Sequence, residues 1–396
     1  MDKGGKRMPK AKSSNVKRGP SPSQLTLMEL CARSGGRCQF RGCNKLLFRD
    51  GVTSKVSNNT NVAHIVASRP TGPRGDTKRS YLLSDKLENL MLMCPDHHHL
   101  IDHEAVDQYP EEVLLAMKAE QERNVERVCE ALNAEATHLL SLRSKIRDDK
   151  EVTISRDQML EAVLPEKRPA EANCIPLDVE VAHFYRNPAF WRDAELTLKN
   201  KFDRFVRCVV ETDKTAHFSV FPLAPIPLII KLGHLMGDTI RADVFQKRRS
   251  PDTWKWQDDD SGSFFLECRD PKPLRKGSGV SLVVSLSAAI SKERRIEFAK
   301  FVGAKWMYEL CATAPGVDCI SSKKDLSEFW HEYQQIMEII KQDHPRCKRV
   351  SVLVAAPVSA AFEIGRRYMP GIYPVLDIYE DHCGFFFKAL EIGGKV

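Results

Sequence analysis

Residues 38–103 concentrate side chains that bind metal ions. Cys38 and Cys43 are separated by four residues, and Cys94 and His97 by two residues. Three thiolates and one imidazole form a ligand set of closed structural zinc sites, and both spacings suit a tetrahedral ion. Bound zinc supplies folding free energy to a segment that has little apolar core of its own. We therefore predict a structural zinc ion at these four residues.

Four polar residues of the same segment are left over once the zinc ligands are assigned. His64 lies in an apolar, strand-like run, and Asp102 follows His98 by four residues, so the latter two share one helical face. A neutral His64 can take a proton from water. An imidazole and a carboxylate suit a divalent ion that contacts a phosphate, and Asn89 can hydrogen-bond the loop beside His64. The set predicts phosphodiester hydrolysis on one catalytic metal ion.

These residues resemble the HNH, or ββα-metal, endonuclease family. The resemblance covers about residues 30–105 and is carried by three motifs: Ala63-His64-Ile65, Glu88-Asn89-Leu90 and Cys94-Pro-Asp-His97-His98. It implies a zinc-stabilised α+β domain, catalytic roles for His64, Asn89 and His98, and Mg²⁺ or another divalent ion as the catalytic cofactor.

One position departs from the family pattern. Many members carry an acidic metal ligand directly before the general-base histidine, where this chain has Ala63. We expect Asp102 to replace that ligand and to hold the catalytic ion together with His98. The loop Gly72–Asp76 is also similar to family sequence, and its Arg74 is expected to contact phosphate.

The charge distribution favours a polyanionic substrate. The chain has 396 residues and a net charge of +7, but residues 1–80 hold 17 Lys and Arg against 4 Asp and Glu. A basic segment beside a metal site suits a polyanion such as a nucleic acid. The composition predicts a soluble protein without a membrane span. The chain has twelve cysteines, and those outside the metal-binding segment lie singly in apolar surroundings, which indicates reduced thiols and a cytoplasmic location.

The order of elements predicts two domains joined by a helix. That helix begins at Pro110, runs to about Arg147, and is expected to transmit ligand-driven assembly to the nuclease. The predicted segments are a disordered basic tail (1–23), the HNH nuclease domain (24–108), the connecting helix and linker (109–173) and a second domain (174–396).

The second domain alternates strands with helices, which is typical of an α/β fold with a mainly parallel sheet. Strands are predicted at residues 204–210, 216–221, 240–246, 263–268, 280–287, 305–311, 349–355 and 374–379. Helices are predicted at residues 226–236, 291–302, 324–342 and 358–368.

An internal repeat indicates that this domain has two halves. Each copy has an Ala-Pro turn, a helix with a glycine on one face, and a strand with an Asp-x-aromatic sequence. The copies are Ala224-Pro225, Gly233 and Asp243-Val-Phe245, and Ala356-Pro357, Gly365 and Asp377-Ile-Tyr379. If the two halves face each other, the carboxyl ends of their strands line one crevice.

Aromatic and cationic residues near these strand ends predict a nucleotide pocket, because bases stack on rings and phosphates pair with cations. The candidate ligand-binding residues are Phe245, Lys247, Arg248, Trp254, Trp256, Ser287, Pro357 and Tyr379. In the alternative interpretation, which stays open, the tryptophans belong to the core and the Lys-Arg-Arg run is a solvated turn.

The second domain resembles the SAVED domain, an α/β module of two CARF/Rossmann-like halves that senses cyclic oligonucleotides. An HNH nuclease joined to SAVED is the layout of an effector in CBASS, a bacterial anti-phage defence. The resemblance implies activation by a cyclic di- or oligonucleotide, ligand-driven assembly into a dimer or tetramer, and degradation of double-stranded DNA with little sequence preference. It spans about residues 170–396 and is carried by Leu232-Gly233, Asp243-Val-Phe245, Trp254-Lys-Trp256, Ser281–Ser287 and Ala356-Pro357 through Tyr379.

Two other interpretations make different predictions. A restriction-type HNH endonuclease, whose C-terminal domain reads DNA sequence or modified bases, gives discrete fragments without any small molecule. A zinc-stabilised DNA-binding protein with an inactive metal site is indifferent to the substitution His64→Ala.

Overall fold

The computed structural model describes residues 18–146, 153–257 and 278–394, together with the backbone of 266–273. The predictions for residues 1–17, for the helix end at Arg147 and for the start of the strand at 263–268 lie outside the described residues. The chain divides into two compact units between Leu132 and Asn133. Within the described part, no helix has the length and apolar character needed to cross a membrane.

The first unit contains two short strands and four α-helices among its described residues. Helix α1 begins after Ser23, whose hydroxyl accepts a hydrogen bond from the Thr26 N–H at 3.0 Å. The capping residue therefore lies within the predicted disordered tail 1–23, so residues 18–23 of that tail are ordered. The elements are α1 (Gln24–Arg33), β1 (Asn61–His64), α2 (Arg79–Leu83), β2 (Leu90–Met93), α3 (Pro95–His99) and α4 (Glu111–Glu130).

Strand β2 is the centre of the first unit. All four of its residues are buried, and it pairs antiparallel with β1 so that His64 lies opposite Leu90. Leu30 of α1 and Leu114 of α4 belong to the same hydrophobic cluster. The chain order β1, β2, α3 is the order that the predicted ββα arrangement requires, while the HNH assignment itself stays a prediction.

The second unit begins with a parallel sheet in the strand order β4-β3-β6-β7, with β5 also pairing with β3. Its elements are β3 (Glu135–Arg143), α5 (Arg156–Val163), β4 (Lys167–Pro169), β5 (Ile175–Pro176), α6 (Pro188–Lys201), α7 (Cys208–Thr212), β6 (His217–Leu223), α8 (Ile226–Met236) and β7 (Arg241–Val244).

A second sheet follows, in the order β13-β12-β11-β9-β10-β8. Its four central strands are parallel and both edge strands are antiparallel. The elements are β8 (Leu266–Pro273), β9 (Gly279–Ser285), α9 (Lys292–Phe301), β10 (Ala304–Ala312), α10 (Lys323–Asp343), β11 (Arg349–Ala355), α11 (Val358–Arg366), β12 (Val375–His382) and β13 (Phe385–Ile392). The predicted α/β pattern is confirmed.

Three parts of the predicted element order are wrong. The helix predicted to reach Arg147 ends at Glu130 and is followed by β3, whose short apolar run has no periodicity that separates strand from helix. The predicted strand 204–210 is helical, because Leu198, Phe202 and Val206 are buried at a spacing of four residues. The predicted linker contains α5 and β4, and β4 pairs with β3 in the first sheet.

Helices α8 and α11 pack against each other through the two repeated glycines. A Cβ atom on Gly233 would lie 2.0 Å from the Phe362 carbonyl oxygen, and one on Gly365 would lie 1.8 Å from the Ile230 carbonyl oxygen. Ile230 and Phe362 occupy equivalent positions of the repeat, as Gly233 and Gly365 do, so the two contacts are equivalent. The two halves are therefore arranged with local two-fold symmetry, and only residues without a side chain permit this close approach.

Candidate nuclease site and sensor domain

The predicted zinc ligands form one cluster in the first unit. One ligand atom from each of Cys38, Cys43, Cys94 and His97 lies within 4.8 Å of the others. His97 contributes Nδ1, which is 3.2 Å from Cys94 Sγ and 3.8 Å from Cys38 Sγ. Three thiols and one imidazole at these separations fit a single tetrahedral ion, and softness of the donors favours zinc.

Gln39 attaches the first cysteine pair to β2. Its side-chain oxygen accepts a hydrogen bond from the Leu92 N–H at 2.8 Å, and its own N–H donates to the Leu92 carbonyl at 2.9 Å. Strand β2 ends directly before Cys94, which precedes α3, and α3 carries His97. The Phe40 ring stacks on the His97 ring with centroids 4.0 Å apart. The local sequence thus brings two distant ligand pairs together.

His64 is oriented as a proton acceptor. Its Nε2 is 3.0 Å from the Ser84 carbonyl oxygen, and because a carbonyl only accepts, Nε2 carries the proton and Nδ1 keeps its lone pair. Burial lowers the pKa of the His64 imidazole, and the hydrogen bond to Ser84 opposes this. The charges of Arg18 and His98 lower the pKa further, while Asp102 raises it. The ring is therefore neutral at pH 7.

Asn89 fixes the backbone that follows His64. Its side-chain oxygen accepts a hydrogen bond from the Val66 N–H at 2.7 Å. Its side-chain nitrogen donates to the Val66 carbonyl at 2.9 Å and to the Leu83 carbonyl at 3.1 Å. Leu83 immediately precedes Ser84, so one buried amide links both segments that hold the His64 ring.

His98 and Asp102 lie side by side on consecutive helical turns, with His98 Nε2 3.2 Å from Asp102 Oδ2. The other Asp102 oxygen accepts from Arg74 at 2.6 Å. Burial alone raises the pKa of the Asp102 carboxyl, but the hydrogen bonds from His98 and Arg74 and the charge of Arg74 hold it below its ordinary value. Asp102 is therefore an anion at neutral pH.

The expectation that Arg74 contacts phosphate is not met. Its guanidinium is buried and donates to the carbonyls of Ile65 and Ile101 at 2.7 and 2.8 Å as well as to Asp102. The side chain fixes the loop before α2 to the segment after α3. Because the guanidinium donates to groups within the unit, Arg74 is not positioned to bind a substrate phosphate.

The pair His98 and Asp102 fits a divalent cation by its chemistry. A divalent cation would replace the proton that now bridges His98 Nε2 and Asp102 Oδ2, which are 3.2 Å apart. Ala63 is buried and offers no ligand. The charges of both residues act on the His64 imidazole: Asp102 raises its pKa and His98 lowers it.

The predicted nucleotide pocket of the second unit is not assembled as expected. Phe245 and Trp254 are buried, and the Phe245 ring stacks on Phe221 with centroids 4.6 Å apart. Both belong to a core cluster with Leu139, so they have no free face for a base. Sequence alone does not separate an aromatic residue of the core from one of a pocket.

The remaining pocket candidates are scattered. Lys247 pairs with Asp252, and Arg248 donates to the Ser250 carbonyl at 3.4 Å. Tyr379 packs against Phe298 in a different cluster from Phe245. Ser287 and Pro357 do lie near each other, since the Ser287 N–H donates to the carbonyl of Ala355, two residues before Pro357. These two flank the carboxyl ends of β9 and β11.

Trp256 lines a small cavity that the sequence did not indicate. The cavity has a volume of about 190 Å³, and Trp330 of α10 and Arg367 also line it. The Arg367 guanidinium lies 4.6 Å from the centre of the Trp330 ring. No local sequence signal marks Trp330 or Arg367, because α10 and the end of α11 reach Trp256 only through tertiary packing.

Two parallel, Rossmann-like halves packed through a symmetric helix pair define the second unit as a doubled α/β module. Residues 198–392 match the SAVED family, described as "SMODS-associated and fused to various effectors sensor domain". The second unit therefore contains a SAVED domain. A search of curated proteins finds no match to the chain.

Solved structures with similarity to the chain include SAVED/CARF receptors named Cap4. An Acinetobacter baumannii Cap4 with the cyclic trinucleotide 3'3'3'-cAAA is 12 % identical with a TM-score of 0.42, and the match covers 72 % of this chain and 60 % of that one. The same receptor with 2'3'3'-cAAA is 12 % identical with a TM-score of 0.43, covering 80 % and 71 %. Cap4 of Moraxella osloensis is 10 % identical with a TM-score of 0.40, covering 80 % and 70 %.

Proposed function

We propose that this protein is a metal-dependent DNA endonuclease whose SAVED domain binds a cyclic di- or oligonucleotide and thereby switches the nuclease on. The ligand drives assembly of several copies, and the activated nuclease degrades double-stranded DNA with little sequence preference, as an effector of CBASS anti-phage defence. The nuclease lies in the first unit and the sensor in the second.

The observation that carries the nuclease proposal is the His64 imidazole. It is neutral, its Nε2 donates to the Ser84 carbonyl, and its Nδ1 lone pair is free to take a proton. A general base needs this combination of protonation state and orientation. The neighbouring His98 and Asp102 supply cation ligands within range of its charge.

The chain's own residues divide the hydrolytic step among them. His64 Nδ1 accepts the proton of the attacking water, and Asn89 holds the backbone on both sides of that ring. His98 and Asp102 hold the divalent cation, which supplies charge stabilisation at the scissile phosphate when bound. The zinc cluster fixes the start of α3 and therefore the position of His98, which follows the ligand His97.

The sensor proposal is supported by the family match and by the arrangement of the two halves. A SAVED domain is a sensor domain by its family description. In parallel sheets, ligands bind at the carboxyl ends of the strands, and here Ser287 and Pro357 flank such ends. Solved Cap4 receptors hold cyclic trinucleotides, and we extend that ligand class to this chain.

Plasmid cleavage tests the proposal. The purified protein is incubated with supercoiled plasmid and Mg²⁺ or Mn²⁺ against a panel of cyclic di- and trinucleotides. We expect one ligand to give complete degradation, and His64→Ala to lower the rate by about 10²-fold or more, the usual size of general-base catalysis. His99→Ala is the matched control, because His99 is exposed and contacts Glu104 and the His103 ring.

Each alternative has its own signature in the same assay. Discrete fragments in the absence of any cyclic nucleotide support a sequence-reading restriction enzyme. Cleavage that is equal in His64→Ala and in the unsubstituted protein contradicts the proposed base. DNA binding without cleavage under every condition indicates a DNA-binding protein with an inactive site.

A further inference from the structure

The first described residues of the chain lie against the loop that orients the general base. Residues Arg18–Pro20, here called the N-terminal strap, are fixed to Ser84, whose hydroxyl donates to the Pro20 carbonyl at 2.9 Å. The carbonyl of Ser84 is the group that holds His64 Nε2. The strap is therefore bonded to the side chain of Ser84, and the His64 ring to its main-chain carbonyl.

Gly19 seats the strap at close range. It is buried, and its N–H donates to the Ser68 carbonyl at 2.9 Å. A Cβ atom at this position would lie 2.2 Å from Ser84 Oγ and 2.6 Å from Ser84 Cβ. Only glycine permits this approach without displacing its neighbours, so the position of the strap beside Ser84 is built into the fold of the unit.

Arg18 has its guanidinium available for a ligand. The residue is exposed, and in the part of the chain that the structure describes it forms no ion pair. It directly precedes Gly19 and Pro20, which are hydrogen-bonded to Ser68 and Ser84, and the Ser84 carbonyl holds His64 Nε2. This places a cation beside the residues that would handle the scissile phosphate, and its positive charge lowers the pKa of the His64 imidazole. The Arg74 guanidinium, by contrast, is used within the unit.

We propose that Arg18 is a positioning residue that binds a backbone phosphate of the DNA next to the one that is cut. A guanidinium offers a fork of donors that matches phosphate geometry, and such contacts place a duplex without reading its sequence. The proposal rests on the proposed nuclease function. Six further cations precede the strap in the sequence: Lys3, Lys6, Arg7, Lys10, Lys12 and Lys17.

Salt-dependent DNA binding by the full chain tests the assignment. A fluorescent 30-base-pair duplex is titrated with the His64→Ala protein, which binds without cutting, at several KCl concentrations. Each phosphate contact adds about 0.9 to the slope of log K against log[salt]. We expect Arg18→Ala in this background to reduce that slope by about this amount, and Arg18→Lys to retain it. Arg33→Ala is the matched control, because Arg33 is exposed but paired with Glu29.

The outcomes separate this inference from the proposed function. An unchanged slope in Arg18→Ala overturns the phosphate contact, as does a failure of the His64→Ala protein to bind the duplex even at low salt. Equal losses in Arg18→Ala and Arg33→Ala also overturn it, since they indicate a general charge effect. Cleavage that persists in His64→Ala contradicts the nuclease mechanism, yet the slope comparison between arginine variants still decides the role of Arg18.

Discussion

The two units of this chain are stabilised in different ways. Among the described residues of the first unit, the bulkiest fully buried side chains are leucines such as Leu30 and Leu47, and buried polar groups such as Gln39 and Asn89 link its loops. In the second unit the bulkiest are Trp191 and Trp254, within large apolar clusters that extend across two sheets. Because a small core gains little from apolar burial alone, we propose that a metal ion at the cysteine–histidine cluster and hydrogen bonds stabilise the first unit.

The two units also differ in how their candidate site residues are positioned. In the first unit the candidate ligands and the candidate base lie on short elements around β2, and hydrogen bonds made by Gln39, Asn89 and Ser84 fix these elements. In the second unit the two halves pack closely because α8 and α11 meet through Gly233 and Gly365. Local sequence motifs can report the first kind of site but not the second.

The largest expected effect comes from removing a zinc ligand. Cys38→Ser should abolish cooperative folding of the first unit, because metal binding by such clusters is worth on the order of 10 kcal/mol. The second unit should keep its thermal transition. Differential scanning calorimetry of the full chain, with metal content measured in parallel, tests this. The exposed Cys129, replaced by serine, is the control, and full stability of Cys38→Ser without bound metal would show that the cluster is not a structural site.

The substitution Gly365→Ala is expected to destabilise the second unit and not the first. The added Cβ meets the Ile230 carbonyl oxygen at 1.8 Å, which is main chain and has little freedom to move. We expect a destabilisation of about 3 kcal/mol, at the upper end of overpacking costs, confined to the second unit and seen as a lowered melting temperature. Gly233→Ala should cost a similar amount if the two halves are symmetric. Gly316→Ala is the control, because nothing lies within 4 Å of its Cβ position.

How much could be predicted from the sequence follows the same division. The four clustered metal-ligand candidates could be predicted because each of the two pairs has a recognisable spacing within a few residues, whereas the catalytic roles of His64, Asn89 and His98 stay predictions. The predicted contact between Arg74 and phosphate is wrong because the sequence does not show that the buried Asp102 carboxylate lies beside Arg74. The repeat and most strands of the second unit were also predictable, since their apolar runs lie between clear turns.

The sensor residues could not be predicted for a physical reason. Trp254 and Trp256 are two residues apart, yet the first is in the core and the second lines a cavity. Burial of an aromatic residue depends on the facing elements, here Phe221 of β6 for Trp254 and Trp330 of α10 for Trp256. The missed strand β3 has the same cause, because its apolar run becomes a central strand only when β4 and β6 flank it.

A smaller effect is expected at Asn89, which tests whether polar links or apolar packing hold the first unit. Asn89→Ala leaves the Val66 N–H and the Val66 and Leu83 carbonyls without partners, so we expect a loss of about 2 kcal/mol. Asn89→Asp keeps the acceptor for the Val66 N–H but loses the donors to both carbonyls. Its free energy of unfolding should therefore lie between those of Asn89→Ala and the unsubstituted protein. Urea unfolding measures both variants. A loss below 0.5 kcal/mol for Asn89→Ala, roughly the size of a surface change, would contradict the link.

The smallest expected effect is on the pH dependence of cleavage. It tests whether polar contacts set the properties of the candidate site in the first unit. Burial lowers the pKa of His64 below its ordinary value of 6.5, and the charge of Arg18 adds to this lowering. Because the base acts when neutral, cleavage should persist as the pH falls through 6.5 and decline only below it. A bound divalent cation shifts the pKa in the same direction. In Arg18→Ala the pKa of His64 should rise, moving the acid limb of the pH–rate profile of cleavage to higher pH, whereas Arg33→Ala should leave it unchanged. An acid limb above pH 7 in the unsubstituted protein would mean that another group, and not His64, takes the proton.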